Sequence, residues 1–188
     1  MNLYTYLRHK DVFSKEECSI IAGAFTEEKI HKGKVIANFQ KYAGRVLFLE
    51  EGILRTFFFK DGKDITHFFF DENCFIAPVN SILYKNKTER YQWEAVEDCR
   101  VSMIAYEDFW ALEERFPRLS RVIIEFSLYL LDLFSQKLNM LQFQSAAERY
   151  DSFLEMYPSI AGRVSLGSTA SFLGITQQTL SVIRGKKK

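Results

Sequence analysis

Side chains that can hydrogen-bond to base edges and phosphates are concentrated in the last 13 residues of the chain. The glutamine amide pairs with N6 and N7 of adenine in a DNA major groove. Hydroxyl groups and cationic side chains bind phosphate oxygens. Residues of these types surround two apolar positions, Leu180 and Ile183, that can face a protein interior. The predicted DNA-contacting residues are Thr176, Gln177, Gln178, Thr179, Ser181, Arg184, Lys186, Lys187 and Lys188.

The charge of the chain is unevenly distributed. The formal net charge is +1, but residues 156–188 contain five basic and no acidic residues. The rest of the chain carries 20 basic and 24 acidic residues. A small positive end on an acidic body favours a polyanion as the partner of that end alone. We therefore predict double-stranded DNA as the partner, with a solvated basic tail as the alternative that charge alone leaves open.

The spacing of small and capping residues in 163–185 predicts a helix-turn-helix. Ser165 is suited to cap a first helix, and Ala170 has the small side chain that a close helix crossing needs. Gly174 can adopt the positive φ of a tight turn, and Thr176 can cap a second helix. In this motif, residues near the start of the second helix reach the base edges. An ordinary helical hairpin is the alternative.

The first 116 residues carry the signals of an antiparallel β-roll. Phenylalanine occurs 18 times, and aromatic side chains fit pleated surfaces well. Asp61-Gly62-Lys63 is a hairpin signal. Helices are predicted at 14–25, where Ser14 and Glu17 form a capping-box pair, and at 106–116. Strands joined by turns are predicted at 45–50, 53–59, 65–70, 91–96 and 100–104.

A long helix with two apolar rows is predicted from Pro117 to Phe143. In one row, apolar residues recur at alternating spacings of three and four, which is typical of a coiled-coil seam. A second row, including Leu131 and Leu138, flanks it. Since the roll alone could hardly cover both rows, we predict a homodimer, with a long core helix as the alternative. The predicted interface residues are Leu119, Val122, Phe126, Tyr129, Leu133 and Met140.

Several classes of protein are disfavoured by the sequence. No apolar run reaches the roughly 18 residues that a membrane span requires. The N-terminal residues lack the basic-then-apolar pattern of a signal peptide. The three cysteines, Cys18, Cys74 and Cys99, are odd in number and far apart, which favours a reducing compartment. We therefore expect a cytoplasmic protein.

Catalytic and metal chemistry have no visible basis in the sequence. An iron–sulfur cluster needs four ligands, typically cysteines, and this chain has three. His9, His31 and His67 do not have the spacing of metal ligands. A β-roll enzyme of the cupin kind needs histidines and carboxylates clustered on adjacent strands, and no such cluster is visible. We therefore expect no catalytic residues, no metal site and no cofactor.

The whole chain resembles the Crp/Fnr superfamily of bacterial regulators. The resemblance is carried by Glu148-Arg149-Tyr150, by Phe153-Leu154 leading to Pro158, by Arg163-Val164 and by residues 170–176. The C-terminal run looks like the compact form common in Bacteroidetes members, with the wing reduced to a lysine tail.

This resemblance implies an α+β fold in three parts. They are a sensor domain of the cyclic-nucleotide-binding jelly-roll type (1–116), a dimerisation helix (117–143) and a helix-turn-helix domain (144–188). The implied partners are double-stranded DNA, a second copy of the chain, a small-molecule effector and RNA polymerase.

The resemblance also implies an effector pocket in the roll, over residues 70–93. Members that bind cyclic nucleotides carry a Gly-Glu pair and an arginine that holds the cyclic phosphate. Here no glycine stands near Glu72, and Glu89 occupies the position of the phosphate arginine. A carboxylate there repels a phosphate, so we expect that cyclic AMP is not the effector. The predicted pocket residues are Glu72, Asn73, Cys74, Glu89, Arg90 and Tyr91.

Two functions are compatible with these patterns. The first is a homodimeric transcription regulator that binds an inverted repeat and senses an unknown effector. The alternative is a small-molecule-binding roll whose helical C-terminus is a protein-interaction surface. The polar-to-basic outer face of 177–184 favours the first.

Overall fold

The computed structural model describes residues 1–36, 42, 44–77 and 91–186. The helices are α1 (Leu3–His9), α2 (Lys15–Gly23), α3 (Tyr106–Arg115), α4 (Leu119–Phe143), α5 (Ala146–Met156), α6 (Leu166–Leu173) and α7 (Gln177–Gly185). The strands are β1 (Thr26–Ile30), β2 (Val35–Ile36), β3 (Arg45–Glu51), β4 (Leu54–Lys60), β5 (Lys63–Phe70), β6 (Cys74–Ile76), β7 (Gln92–Ala95) and β8 (Cys99–Ala105). Within the described ranges, no helix has the length and apolar character needed to cross a membrane.

The strands form two four-stranded antiparallel sheets that enclose one apolar interior. The sheet orders are β1-β8-β3-β6 and β2-β7-β4-β5. Successive side chains on a strand point to opposite faces, so alternate residues line the interior. Leu47 and Val101 from the first sheet meet Leu54 and Trp93 from the second. The predicted antiparallel β-roll is confirmed.

Local signals fixed the turns and helix starts. Asp61 and Gly62 have φ values of 52° and 71°, and Lys60 pairs with Lys63 across them. Positive φ at both central residues is the requirement of a two-residue type I′ hairpin. The capping box at the start of α2 is also present, with Ser14 and Glu17 bonding each other's backbone N–H groups at 3.1 and 2.7 Å.

One apolar cluster joins the roll to the C-terminal helices. Phe68 and Phe69 of β5 pack with Phe153 of α5 and Phe172 of α6. Phe172 is 1% exposed, and its ring centroid lies 5.6 Å from those of Phe69 and Phe153. Helices α5 and α6 therefore pack directly on the sheet that contains β5.

Most of the residues of α4 that we predicted to form the dimer interface pack in the core of the single chain. This corrects our assignment of the two apolar rows. Leu119 and Val122 pack with α1 to α3, and Leu133 and Met140 pack in the cluster that contains Phe172. All four are at most 5% exposed in the single chain. Of the other two predicted interface residues, Phe126 is half-buried against the roll interior and Tyr129 is exposed. The large apolar residues that α4 leaves exposed are Ile124, Leu128, Tyr129, Leu131, Phe134, Leu138, Leu141 and Phe143.

Candidate nucleic-acid interface

Helices α6 and α7 form the predicted helix-turn-helix. The Ser165 hydroxyl accepts the N–H of Ser168 at 2.9 Å, and the Thr176 hydroxyl accepts the N–H of Thr179 at 3.1 Å. Gly174 ends α6 with φ +67°, a left-handed conformation that costs glycine little. Both predicted N-caps and the predicted glycine turn are therefore confirmed.

The predicted DNA-contacting residues lie on the solvent side of this unit. Leu180 is fully buried against the neighbouring helices, so the opposite face of α7 points outward. Lys187 and Lys188 lie outside the described residues. The predicted residues that are described are all exposed: Thr176, Gln177, Gln178, Thr179, Ser181, Arg184 and Lys186. Together they present amide, hydroxyl and cationic groups on one surface.

Two details at the start of α7 bear on what its side chains can bind. The hydroxyl oxygens of Thr176 and Thr179 lie 2.9 Å apart, so one hydroxyl proton joins the pair and the other is left to donate. The amide of Gln177 lies over Gly167, where an added Cβ would come within 3.0 Å of its Nε2. The absence of a side chain at Gly167 therefore leaves room for Gln177.

Arg149 clamps the helix-turn-helix to the end of α4. Its Nη1 donates to the carbonyl of Leu173 at 3.1 Å, and its Nη2 donates to that of Leu141 at 3.2 Å. Its Nε donates to the carbonyl of Gln144 at 3.0 Å. The last carbonyls of a helix have no partner within the helix, so a guanidinium is well suited to bind them. Arg149 was predicted only as part of the family resemblance, because no local pattern pointed to its contacts with Leu173 and Leu141.

Polar contacts also dock α6 on the roll. The Ser171 hydroxyl accepts the N–H of Thr66 at 2.9 Å and donates to the carbonyl of Asp64 at 3.0 Å. Both partners lie on β5, an edge strand of its sheet. Ser171 thus uses backbone groups that an edge strand leaves unpaired. No local pattern in the sequence pointed to this contact.

Glu72, a predicted effector residue, is engaged by the segment between α5 and α6. The Arg163 guanidinium binds its carboxylate at 2.5 and 3.1 Å and also pairs with Glu97. The N–H of Gly52 donates to Glu72 at 3.1 Å. Partial burial would raise the pKa of Glu72, but the hydrogen bonds from Arg163 and backbone N–H groups hold it below its usual range. Glu72 therefore joins the roll to the C-terminal unit.

The other predicted effector residues that the structure describes, Asn73, Cys74 and Tyr91, have surroundings different from those of Glu72. Asn73 has φ +69°, and its N–H donates to the Leu49 carbonyl at 2.7 Å. Cys74 is buried inside the roll, where desolvation raises the pKa of its thiol well above the usual value. Tyr91 stacks on His67, with ring centroids 4.3 Å apart. Glu89 and Arg90 lie outside the described residues.

The described interior of the roll is occupied by apolar side chains. The Phe70 and Trp93 rings lie with centroids 5.1 Å apart against the core of the two sheets. Across the described ranges, no three or more histidine, cysteine, aspartate or glutamate side chains are grouped to hold a metal ion. The three cysteines are free and buried.

Several solved structures share the fold of this chain. No protein-family model matches the sequence, and no curated protein matches it either. A CooA variant from Carboxydothermus hydrogenoformans matches with a TM-score of 0.71 and 18% identity, over 99% of this chain and 84% of that one. The regulator CLP from Xanthomonas campestris, described as responsive to c-di-GMP, matches with 0.71 and 14%, over 93% and 91%.

A third similar structure carries the family description itself. It is described as a transcriptional regulator of the Crp/Fnr family from Eubacterium rectale. It matches with a TM-score of 0.70 and 18% identity, over 97% of this chain and 87% of that one. The predicted resemblance is thus confirmed as a shared fold, from the first helix to the helix-turn-helix.

Proposed function

From the premise that this chain has the fold of Crp/Fnr regulators, we propose that it is a sequence-specific DNA-binding transcription regulator. The observation that carries the proposal is the capped helix-turn-helix with the polar and cationic face of α7 exposed. The five basic residues of 156–188, free of any acidic residue, give that unit the charge to bind DNA phosphates. The alternative, a protein-interaction surface at the C-terminus, has no observation in its favour.

Within this proposal, the residues of α7 divide into two roles. Gln177, Gln178 and Ser181 reach base edges, and glutamine suits adenine because it can bond N6 and N7 together. Thr176 and Thr179 contact phosphate, using the hydroxyl proton that their mutual hydrogen bond leaves over. The cationic residues after them, Arg184 and Lys186 to Lys188, add affinity without sequence preference.

We also propose that a second copy of the chain covers the exposed row of α4. Ile124, Leu128 and Leu131 are each at least 58% exposed, and they are spaced by four and three residues. That spacing gives the average of 3.5 residues that keeps one face of a helix on its partner. Two recognition helices would then enter successive major grooves about 34 Å apart, so the site is an inverted repeat.

Changing a base-reading residue and removing the basic tail should have different effects on DNA binding. Gln177→Ala should relax one position in each half-site, because a bidentate contact contributes about 1–3 kcal/mol of discrimination. Deleting Lys186–Lys188 should weaken binding to all sequences alike and flatten the salt dependence. Selection from a random DNA pool and titrations at several salt concentrations measure both effects. Gln136→Ala, an exposed glutamine on α4, is the matched control.

The same selection tests the proposed function as a whole. The wild-type protein and the Gln136→Ala control should enrich the same inverted repeat. If no inverted repeat is enriched, the proposed function is wrong. If the Gln177→Ala variant enriches the wild-type motif unchanged, the assignment of α7 as the reading helix is wrong.

Neither cyclic AMP nor cyclic GMP is expected to bind. Glu72 is held by Arg163 and Gly52, and the Phe70 and Trp93 rings occupy the described roll interior. Isothermal titration calorimetry should show no heat of binding with either nucleotide, while the same preparation still binds its selected DNA. A micromolar dissociation constant for either nucleotide would contradict this prediction.

The remaining parts of the proposal follow from the same premise. The chain acts in the cytoplasm, where its three free thiols remain reduced. It responds to a small-molecule effector and contacts RNA polymerase when bound to DNA.

A further inference from the structure

A lysine is buried where β5, α4 and α6 meet. Lys137 of α4 is 8% exposed, and its Nζ donates to the backbone carbonyl of His67. The Nζ atom lies 4.8 Å from the ring centroid of Phe68 and 4.1 Å from that of Phe172. An ammonium group has three protons to donate. Among the described residues, the Nζ of Lys137 has one hydrogen bond, to a carbonyl, and two cation–π contacts. No described carboxylate forms an ion pair with it.

Lys137 lines a pocket with mostly apolar walls. The pocket has a volume of about 490 Å³, within the range of small-molecule sites. Phe58 of β4, Phe134 and Leu138 of α4 and Phe172 of α6 contribute to its walls. None of these side chains belongs to the cluster that fills the roll interior, so the pocket lies outside that interior.

The pocket is electrostatically suited to an anion. Burial lowers the pKa of Lys137 to about 7. His67, the titratable residue that lines the pocket from β5, has its pKa lowered to about 4 by burial and by the nearby Lys137. Ser171 and Phe172 of α6 and Gly174, which follows it, line the pocket and bring no charge, and the other α4 residues there are apolar. A buried cation without a counter-ion is stabilised strongly by an opposite charge placed beside it.

We propose that this pocket binds a small amphipathic carboxylate, with its anionic head on Lys137 and its apolar body against the walls from β4, α4 and α6. The pocket touches the roll, the long helix and the first helix of the helix-turn-helix. The next step rests on the proposed function. In a DNA-binding regulator, a ligand in this pocket would strengthen or loosen the packing of the DNA-binding unit on the roll. The site would then be the effector site of the regulator.

Calorimetry on the full chain can test this site with defined probes. Octanoate and 4-phenylbutyrate have the proposed chemistry, and octanamide is the uncharged analogue of the first. At least one of the two carboxylates should bind the wild-type protein, and Lys137→Met should weaken that binding by about tenfold or more because it removes the buried charge. The matched control is Lys15→Met, an exposed lysine on α2, which should leave binding unchanged.

The pH dependence is a second measurement that needs no variant. The carboxylate probes stay ionised above about pH 6, while Lys137 loses its proton around pH 7. Their affinity should therefore fall by about tenfold or more between about pH 6 and about pH 8.5. Octanamide should bind more weakly than octanoate at the lower pH and show no such trend.

The outcomes separate this site from the proposed function. Binding of neither carboxylate, or equal binding to the wild-type protein and to Lys137→Met, overturns the site even if an inverted repeat is selected. Octanamide binding as tightly as octanoate also overturns it. If carboxylate binding depends on Lys137 but the protein selects no DNA sequence, the site is supported and the proposed regulator function is wrong.

Discussion

Replacing Leu131 with glutamate is expected to convert the proposed dimer into a folded monomer. Leu131 is 64% exposed in the single chain, so the substitution should change the stability of the monomer little. At a two-fold interface, each chain would bring one carboxylate into the apolar seam. We expect the dimer dissociation constant to rise about a thousandfold, equal to about 4 kcal/mol, because neither charge has a partner there. Sedimentation equilibrium and a thermal melt measure assembly and folding separately.

DNA binding should follow the loss of the dimer. A monomer engages one half-site, so affinity for the inverted repeat should fall by about a hundredfold or more. Leu133→Glu is the matched control, since Leu133 lies two residues away but is 5% exposed. That variant should lose the fold itself, because it buries a carboxylate in the chain's own core. A monomeric wild-type protein at micromolar concentration, or a dimeric Leu131→Glu variant, would exclude the proposed interface.

Truncating Phe172 to alanine should cost about 3–5 kcal/mol of the free energy of unfolding. Phe172 is 1% exposed and packs against the rings of Phe69 and Phe153. Removing the ring leaves a cavity lined by residues of both the roll and the C-terminal helices. Urea titration measures the change. The matched control is Phe59→Ala, because Phe59 is 62% exposed on β4 and its loss should cost at most about 1 kcal/mol.

Because the apolar cluster around Phe172 joins the roll to the C-terminal helices, we also expect these two parts to unfold together. Tryptophan fluorescence reports on the roll, through Trp93, and on α3, through Trp110. Circular dichroism reports mainly on the helices, including α4 to α7. In the wild-type protein, the two signals should change at the same urea concentration. Two separated transitions would show that the cluster around Phe172 does not couple the two parts.

The helix-turn-helix could be predicted in detail because its signals are local. The caps at Ser165 and Thr176 depend on a side chain bonding a backbone N–H three residues away. The turn at Gly174 depends on the conformational freedom of that one residue. The hairpin at Asp61-Gly62 is fixed in the same way, by two residues with positive φ. Such features are decided within a few positions of the chain, so the sequence alone determined them.

Periodicity determined that α4 has two apolar rows, but it could not assign them. Both rows have the spacing of a helix face, and hydrophobicity carries no information on which surface will cover which row. Only the packing of the roll and of α5 to α7 decided that Leu133 and Met140 lie inside and Leu131 outside.

The contacts of Glu72, in the predicted effector region, and of the buried Lys137 depend on the tertiary structure. Arg163 meets Glu72 from 91 residues away, and Lys137 meets the carbonyl of His67 from 70 residues away. The short strand β6 lies between the predicted strands at 65–70 and 91–96, where no strand was predicted, and it is defined by its pairing with β3. Contacts across such separations depend on how whole elements pack. The sequence therefore determined the local geometry of the reading helix, whereas the fold decided which distant charges and faces meet.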